Sequence, residues 1–345
     1  MIVNFISGKD LGGPKQSFIL YSKALQKIYS PICSVIRKGA LLKPLMDEQN
    51  IKTIELNYLR LNFWPFKYWA INKIKKQLKP LLPKIIFVHK ALDLPLVVAA
   101  LPKTKVIGVI HSFSASNIEY ADALIAVSEK VKQFLINKNY KKPIYVIPNI
   151  TVAEAFPSPK NKALPSVPVI GAMGVFRRTK GFHTLIKALF LLKKKNVPFQ
   201  AVIAGKGKLY YYLQYLRWRY NLQDQLLLKS WIANKNKTAF LDSIDLYVLS
   251  SKLETFGMVI IEAMARKKRV IATKCGGPEE ILTDAVNGYL IPKKNSLALA
   301  NKLEHLIKNP QVSQDIPEKA YQSILNNYSL EVLTNHLQNL LRIYL

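Results

Sequence analysis

The chain has 345 residues, half of them hydrophobic, with 51 Lys+Arg against 21 Asp+Glu and a formal charge of +30. That composition excludes intrinsic disorder, collagen and small disulfide scaffolds, and the length predicts two domains, each able to bury its own core. The charge points to polyanions such as nucleic acid, anionic lipid or phosphorylated substrates, and because residues 1–150 carry 23 basic and 8 acidic side chains against 28 and 13 in the remainder, no basic tail accounts for it.

The opening MIVNFISGKDLGG has no charged leader, long apolar core or small-residue cleavage site, so no signal peptide is expected. MIVNFIS reads as a strand, SGKDLGGPKQS (7–17) as a glycine-rich turn and SFILYSKALQKIY as a helix. SPICSVIRK, KIIFVHK, KVIGVIHSF, ADALIAVSE and PIYVIPNI follow as strands between amphipathic helices, the pattern of a parallel sheet covered on both faces. Between Glu55 and Asp93 there is no acidic residue, whereas Arg60, Lys67, Lys73, Lys75, Lys76, Lys79, Lys84 and Lys90 are basic. A helix after Pro65 would align Phe66, Ala70, Ile74 and Leu78, with Trp64 and Trp69 nearby, so residues 57–80 are expected to lie on an anionic membrane surface. The competing reading is a core-packing helix with a solvated basic face. The apolar stretches 94–102 and 105–113 fall short of the ~18–20 residues of a membrane span. His89 and His111 close two predicted strands at their carboxyl ends, where α/β sheets place ligands. The two cysteines, Cys33 and Cys275, have no metal-ligand spacing, which predicts a reducing compartment and no structural metal.

The proline-rich TVAEAFPSPKNKALPSVP (151–168) reads as an interdomain linker, and a second alternation of strands and helices follows it. GVFRRTKGFHTLIKAL (174–189) is a strand end, a basic loop and a helix; Arg177, Arg178 and Lys180 suit a diphosphate leaving group. KGKLYYYLQYLRWRY (206–220) is a second aromatic and basic stretch with no evident role. In SSKLETFGMVIIEAMARKKRVIATKCGGPEEIL (250–282), a strand runs into a loop holding Glu254, Gly257 marks a turn, and MVIIEAMAR is helical in period. The amides of Gly257, Met258 and Val259 then lie at a helix N-terminus that can bind diphosphate, Glu254 can accept from sugar hydroxyls, and Glu262 can reach a ribose diol. The plainer reading makes Glu254 a surface carboxylate and Glu262 a complement to the helix dipole.

The pattern E-x7-E with Phe256-Gly257 after the first Glu, then Gly276, Gly277 and Glu280, then Asn287-Gly288, resembles the donor site of retaining nucleotide-sugar glycosyltransferases of family 4. The resemblance implies a GT-B fold, two doubly wound Rossmann-like α/β domains: 1–155 for the acceptor, a linker at 156–167, 168–325 for the nucleotide-sugar, and a helix at 326–345 crossing back to the first. It implies catalytic roles for Glu254, Lys180 and His111, with His89 less defined. Donor contacts would come from Gly12, Gly13, Phe256, Gly257, Met258, Val259 and Glu262. Val175 stands where the family has an arginine, and Arg177 or Arg178 would supply that charge. The implied reaction moves a hexose from a UDP-sugar, in preference to a GDP-sugar, to a lipid-linked or lipopolysaccharide-type acceptor with retained configuration, in a bacterial cytoplasm at the inner membrane face. No Asp-x-Asp occurs, so neither a metal nor another cofactor is expected. Three alternatives stand beside this one: a nucleotide-sugar enzyme of the same fold, such as an epimerase; an inactive partner subunit; and a basic polyanion-binding protein. No helix-turn-helix, zinc or RNP-like motif accompanies the charge, so nucleic acid is not an expected partner.

Overall fold

Aliphatic runs such as IVNFI in β1 (Ile2–Ile6) and IIFV in β4 (Ile85–Val88) are buried along their whole length. Strands with no polar face need helices on both sides of a parallel sheet, and that is the arrangement found in the computed structural model, which describes residues 1–8, 13–58, 65–151 and 163–345. The chain forms two units, Met1–Ile150 with Leu330–Leu345, and Thr151–Ser329.

In the first unit, β1, β2 (Ile32–Arg37), β3 (Thr53–Leu56), β4, β5 (Lys105–Ile110), β6 (Ala123–Ala126) and β7 (Ile144–Val146) pair in the order β3-β2-β1-β4-β5-β6-β7, all parallel. The order reverses between β1 and β4, so the loops leaving those strands flank the position where doubly wound sheets bind ligands. The helices are α1 (Gly13–Ile28), α2 (Lys43–Glu48), α3 (Phe66–Leu78), α4 (Leu94–Ala100) and α5 (Glu129–Ile136).

Of residues 57–80, 59–64 lie outside the described residues, and in the rest the apolar row expected to face lipid turns inward. Ala70, Ile74 and Leu78 of α3 are buried in the first unit, where α3 packs along α4 and the row is removed from water into the protein core. The outward face of α3 holds Tyr68, Trp69, Lys67, Lys73, Lys75 and Lys76 instead.

In the second unit, β8 (Val169–Val175), β9 (Gln200–Lys206), β10 (Leu226–Lys229), β11 (Leu246–Leu249), β12 (Arg269–Lys274) and β13 (Tyr289–Pro292) pair in parallel in the order β10-β9-β8-β11-β12-β13. Here the order reverses between β8 and β11. Helices α6 (Phe182–Lys194), α7 (Tyr210–Arg219), α8 (Asn234–Asp242), α9 (Met258–Ala265), α10 (Pro278–Ile281), α11 (Ser296–Lys308) and α12 (Ile316–Asn327) cover it. Leu185, Leu189 and Leu192 of α6 share one core with Leu299, Leu303 and Leu306 of α11. The last helix, α13 (Leu330–Tyr344), packs on α1 with Leu333, Leu337, Leu340 and Leu341 buried, and so belongs to the first unit. Among the described residues no helix is long and apolar enough to cross a membrane.

Candidate active site

In the second unit the loops after β8 and β11 carry the charged motif, and backbone contacts fasten one to the other. The amide of Lys252 donates to the Thr179 carbonyl at 2.7 Å, and Ser250 Oγ donates to the Lys180 carbonyl at 3.1 Å. Gly181, at φ +65°, lies so close to this contact that a Cβ would sit 1.9 Å from the Ser250 oxygen, so only glycine permits it.

This contact brings Lys180 and Glu254 together. Lys180 Nζ forms an ion pair with Glu254 Oε1, which also accepts from Ser251 Oγ at 2.7 Å. Both charged side chains are mostly shielded from water. The Glu254 backbone is held from the other side by the loop after β12: its amide donates to the Cys275 carbonyl at 3.1 Å, and its carbonyl accepts from the Gly277 amide at 3.0 Å. Gly276 sits at φ +120°, and a Cβ on Gly277 would lie 2.2 Å from Phe256 Cα. The Gly-Gly pair therefore works through backbone approach, positioning the Glu254 loop.

Phe256 is buried edge-on against Tyr328 at 5.8 Å, and Gly257 turns the chain at φ +110° into α9. The first-turn amides of Met258 and Val259 have no acceptor within the helix and form a partial positive charge. Glu262 follows in α9, 7% exposed, with Oε1 paired to Lys237 Nζ at 2.6 Å. Its second oxygen, Oε2, is buried with no hydrogen-bond partner among the described residues. Arg177 and Arg178 are exposed in the loop after β8, and Val175 is partly exposed at the strand end. Asn287 closes a local turn, accepting from the Thr283 amide at 2.8 Å and donating to the Ile281 carbonyl at 3.2 Å.

In the first unit, Gly13 opens α1, while Gly12 lies outside the described residues. His89 and His111 are in contact, Nδ1 to Nε2 at 3.1 Å, and their rings stack with centroids 5.4 Å apart. Asn4 Nδ2 donates to the Phe18 carbonyl at 3.0 Å, which leaves Asn4 Oδ1 to accept from His89 Nε2 at 2.8 Å. Neutral His89 then accepts at Nδ1 from His111 Nε2, leaving Nδ1 as the accepting nitrogen of His111. Burial pushes the His111 pKa down to about 4; burial, then His111 and Lys15, holds that of His89 well below its ordinary value. Both rings are neutral at pH 7.

Sequence reasoning named Lys180, Glu254 and Glu262 but missed Ser251, Lys237, Asn4 and Gly181. Lys237 stands in NKNKTAF on α8, a segment with no motif, and reaches Glu262 only through the fold. Gly181 carried a visible signal, a glycine between a basic loop and an apolar helix. Among the described residues no cluster of three or more His, Cys, Asp or Glu side chains is gathered as a metal-ligand set.

Two family models match the chain: "Glycosyltransferase Family 4" over residues 39–152 and "Glycosyl transferases group 1" over 155–323. A lipopolysaccharide core biosynthesis glycosyltransferase of Rhizobium meliloti is 25% identical over 62% of this chain and 62% of its own length. A poly(ribitol-phosphate) alpha-N-acetylglucosaminyltransferase of Staphylococcus aureus is 26% identical over 67% of this chain and 46% of its own. The chain thus spans less than two thirds of either relative. The crystal structure of the Anabaena protein HepE, solved with UDP and glucose, superposes with a TM-score of 0.83 over 99% of both chains at 19% identity.

Proposed function

Since the chain belongs to glycosyltransferase family 4 and has the GT-B fold, we propose that it transfers a hexose from a UDP-sugar, in preference to a GDP-sugar, onto a lipid-linked or lipopolysaccharide-type acceptor, with retention of configuration and without a metal. The observation that carries this reading is the donor half-site of the second unit. In the helix that begins two residues after Phe256, a buried Glu262 oxygen has no partner among the described residues, and Glu254 is held beside Lys180 in the loop after β11. A buried acceptor left unpaired costs about 1–3 kcal/mol, which a ribose hydroxyl would recover on binding.

In the proposed reaction the bond from the sugar anomeric carbon to the diphosphate oxygen breaks. The acceptor oxygen bonds to the same face, and its proton passes to the departing phosphate. No enzymatic nucleophile is needed. Lys180, Arg177 or Arg178, and the amides of Gly257, Met258 and Val259 would hold the growing phosphate charge. Glu254 would orient the transferred sugar; His111, as a neutral ring, would contact the sugar or its phosphate, and Gly12 and Gly13 would be further donor contacts. The names of the relatives support an envelope-polysaccharide acceptor. The outward Tyr68, Trp69 and lysines of α3 support peripheral attachment at the inner face of the cytoplasmic membrane.

Transfer from UDP-sugars to lipid-linked and lipopolysaccharide acceptors, run with and without EDTA and read by NMR of the product linkage, tests the reading. A retained anomer formed equally in EDTA is expected. An inverted anomer or an absolute need for Mn²⁺ would contradict it, and an epimerised donor formed without acceptor would favour the epimerase-like alternative.

A further inference from the structure

Helix α7 has no part in the donor half-site, and its outward chemistry is unlike that of an ordinary surface helix. Leu213 and Leu216 face the core and are buried, whereas Tyr211, Tyr215 and Trp218, spaced i, i+4, i+7 along one face, are 82%, 53% and 64% exposed. Cations flank this row. Lys206 and Lys208 are exposed before the helix, Arg219 is exposed at its end, and Lys194 of α6 lies close by, since Phe190 beneath it stacks on Tyr220 at 4.5 Å. Nearby anionic side chains are scarce: residues 155–223, a stretch of 69, contain no Asp or Glu and 13 Lys or Arg.

We propose that this face of α7 is a second membrane contact, seating the second unit on an anionic lipid surface. Tyrosine and tryptophan rings settle at the boundary between headgroups and acyl chains, with the ring in the apolar layer and the O–H or N–H in water. Lysines and arginines around them meet the phosphates of anionic headgroups, and they outnumber the carboxylates close in sequence, of which the first is Asp224, exposed just beyond the helix. The inference rests on α7 and its surroundings alone and stands whether or not the transferase reading does.

The test uses the full chain and vesicles of phosphatidylcholine with and without phosphatidylglycerol, read by co-sedimentation. The wild type is expected to bind the anionic vesicles preferentially. Combined Tyr211→Ser, Tyr215→Ser and Trp218→Ser should weaken that binding by about tenfold or more with an unchanged melting temperature, while Tyr120→Ser, an exposed tyrosine of the first unit, leaves it intact. Should the combined variant fold poorly, brominated acyl chains are expected to quench the wild-type tryptophan signal, and Trp218→Phe should remove the share of that quenching that comes from this face. Unchanged vesicle binding in the folded variant, or no quenching at Trp218, overturns the proposal. An equal loss of duplex DNA binding would overturn it in favour of a general polyanion site, and a change only from dimer to monomer would do so in favour of self-association.

Discussion

Glu262 combines two opposed demands: one oxygen is neutralised by Lys237, and the other is buried without a partner among the described residues. Glu262→Gln keeps the volume but exchanges a charged acceptor for a neutral amide, so nucleotide affinity is expected to fall about tenfold to a hundredfold in calorimetric titration, the loss of one hydrogen bond to a charged group. Unchanged affinity would remove Glu262 from the site. The histidine pair has its own signature. Its folded pKa values are depressed, so the unfolded chain binds more protons below the ordinary value of 6.5. The stability contributed by the neutral pair is complete above pH 6.5 and is lost as pH falls toward the folded value, about 4 for His111. Melting temperature should therefore drop on acidification below pH 6.5, and His111→Asn should make that drop shallower; identical profiles would show that the pair does not stay neutral on folding.

At the scale of elements, the site depends on loops pressed together where no side chain fits. Gly277→Ala would drive a Cβ into the Phe256 backbone, which cannot withdraw without breaking the hydrogen bonds of Glu254. A loss of about 2–4 kcal/mol in urea unfolding is expected, and a loss below about 0.5 kcal/mol would mean that the loop is pliant. These elements were legible to different degrees in the sequence. Strands β1, β4, β5 and β11 stood out as apolar runs bounded by turns, and Gly257 before an apolar helix located the start of α9. Periodicity located α3 but not the direction of its apolar row, because the same i,i+4 spacing serves a core or a bilayer. For α7 the spacing of leucines and aromatics did not reveal that the leucines go inside and the rings outside. Lys237 and Asn4 were invisible, since each meets its partner only through tertiary folding.

For the molecule as a whole, a charge of +30 sets two effects against each other. Like charges on a folded chain repel, so added salt, which screens over roughly 8–10 Å at physiological strength, should raise the melting temperature. The same screening should weaken association with anionic vesicles. A salt series read by thermal melting and co-sedimentation should show opposite slopes, and parallel slopes would mean that the excess charge is not directed at a partner. The two units each present a sheet whose strand order reverses once, and the second gathers Lys180, Glu254 and Ser251 beside a helix bearing a carboxylate oxygen with no partner among the described residues. The most direct test of the donor assignment is calorimetric titration of the purified protein with UDP, GDP, ADP, CMP and their sugar conjugates, with Glu262→Ala and Lys180→Ala alongside. Saturable binding of one nucleoside diphosphate, strongest for UDP and lost in both variants, is the predicted result; a folded wild-type protein that takes up none of these nucleotides would contradict it.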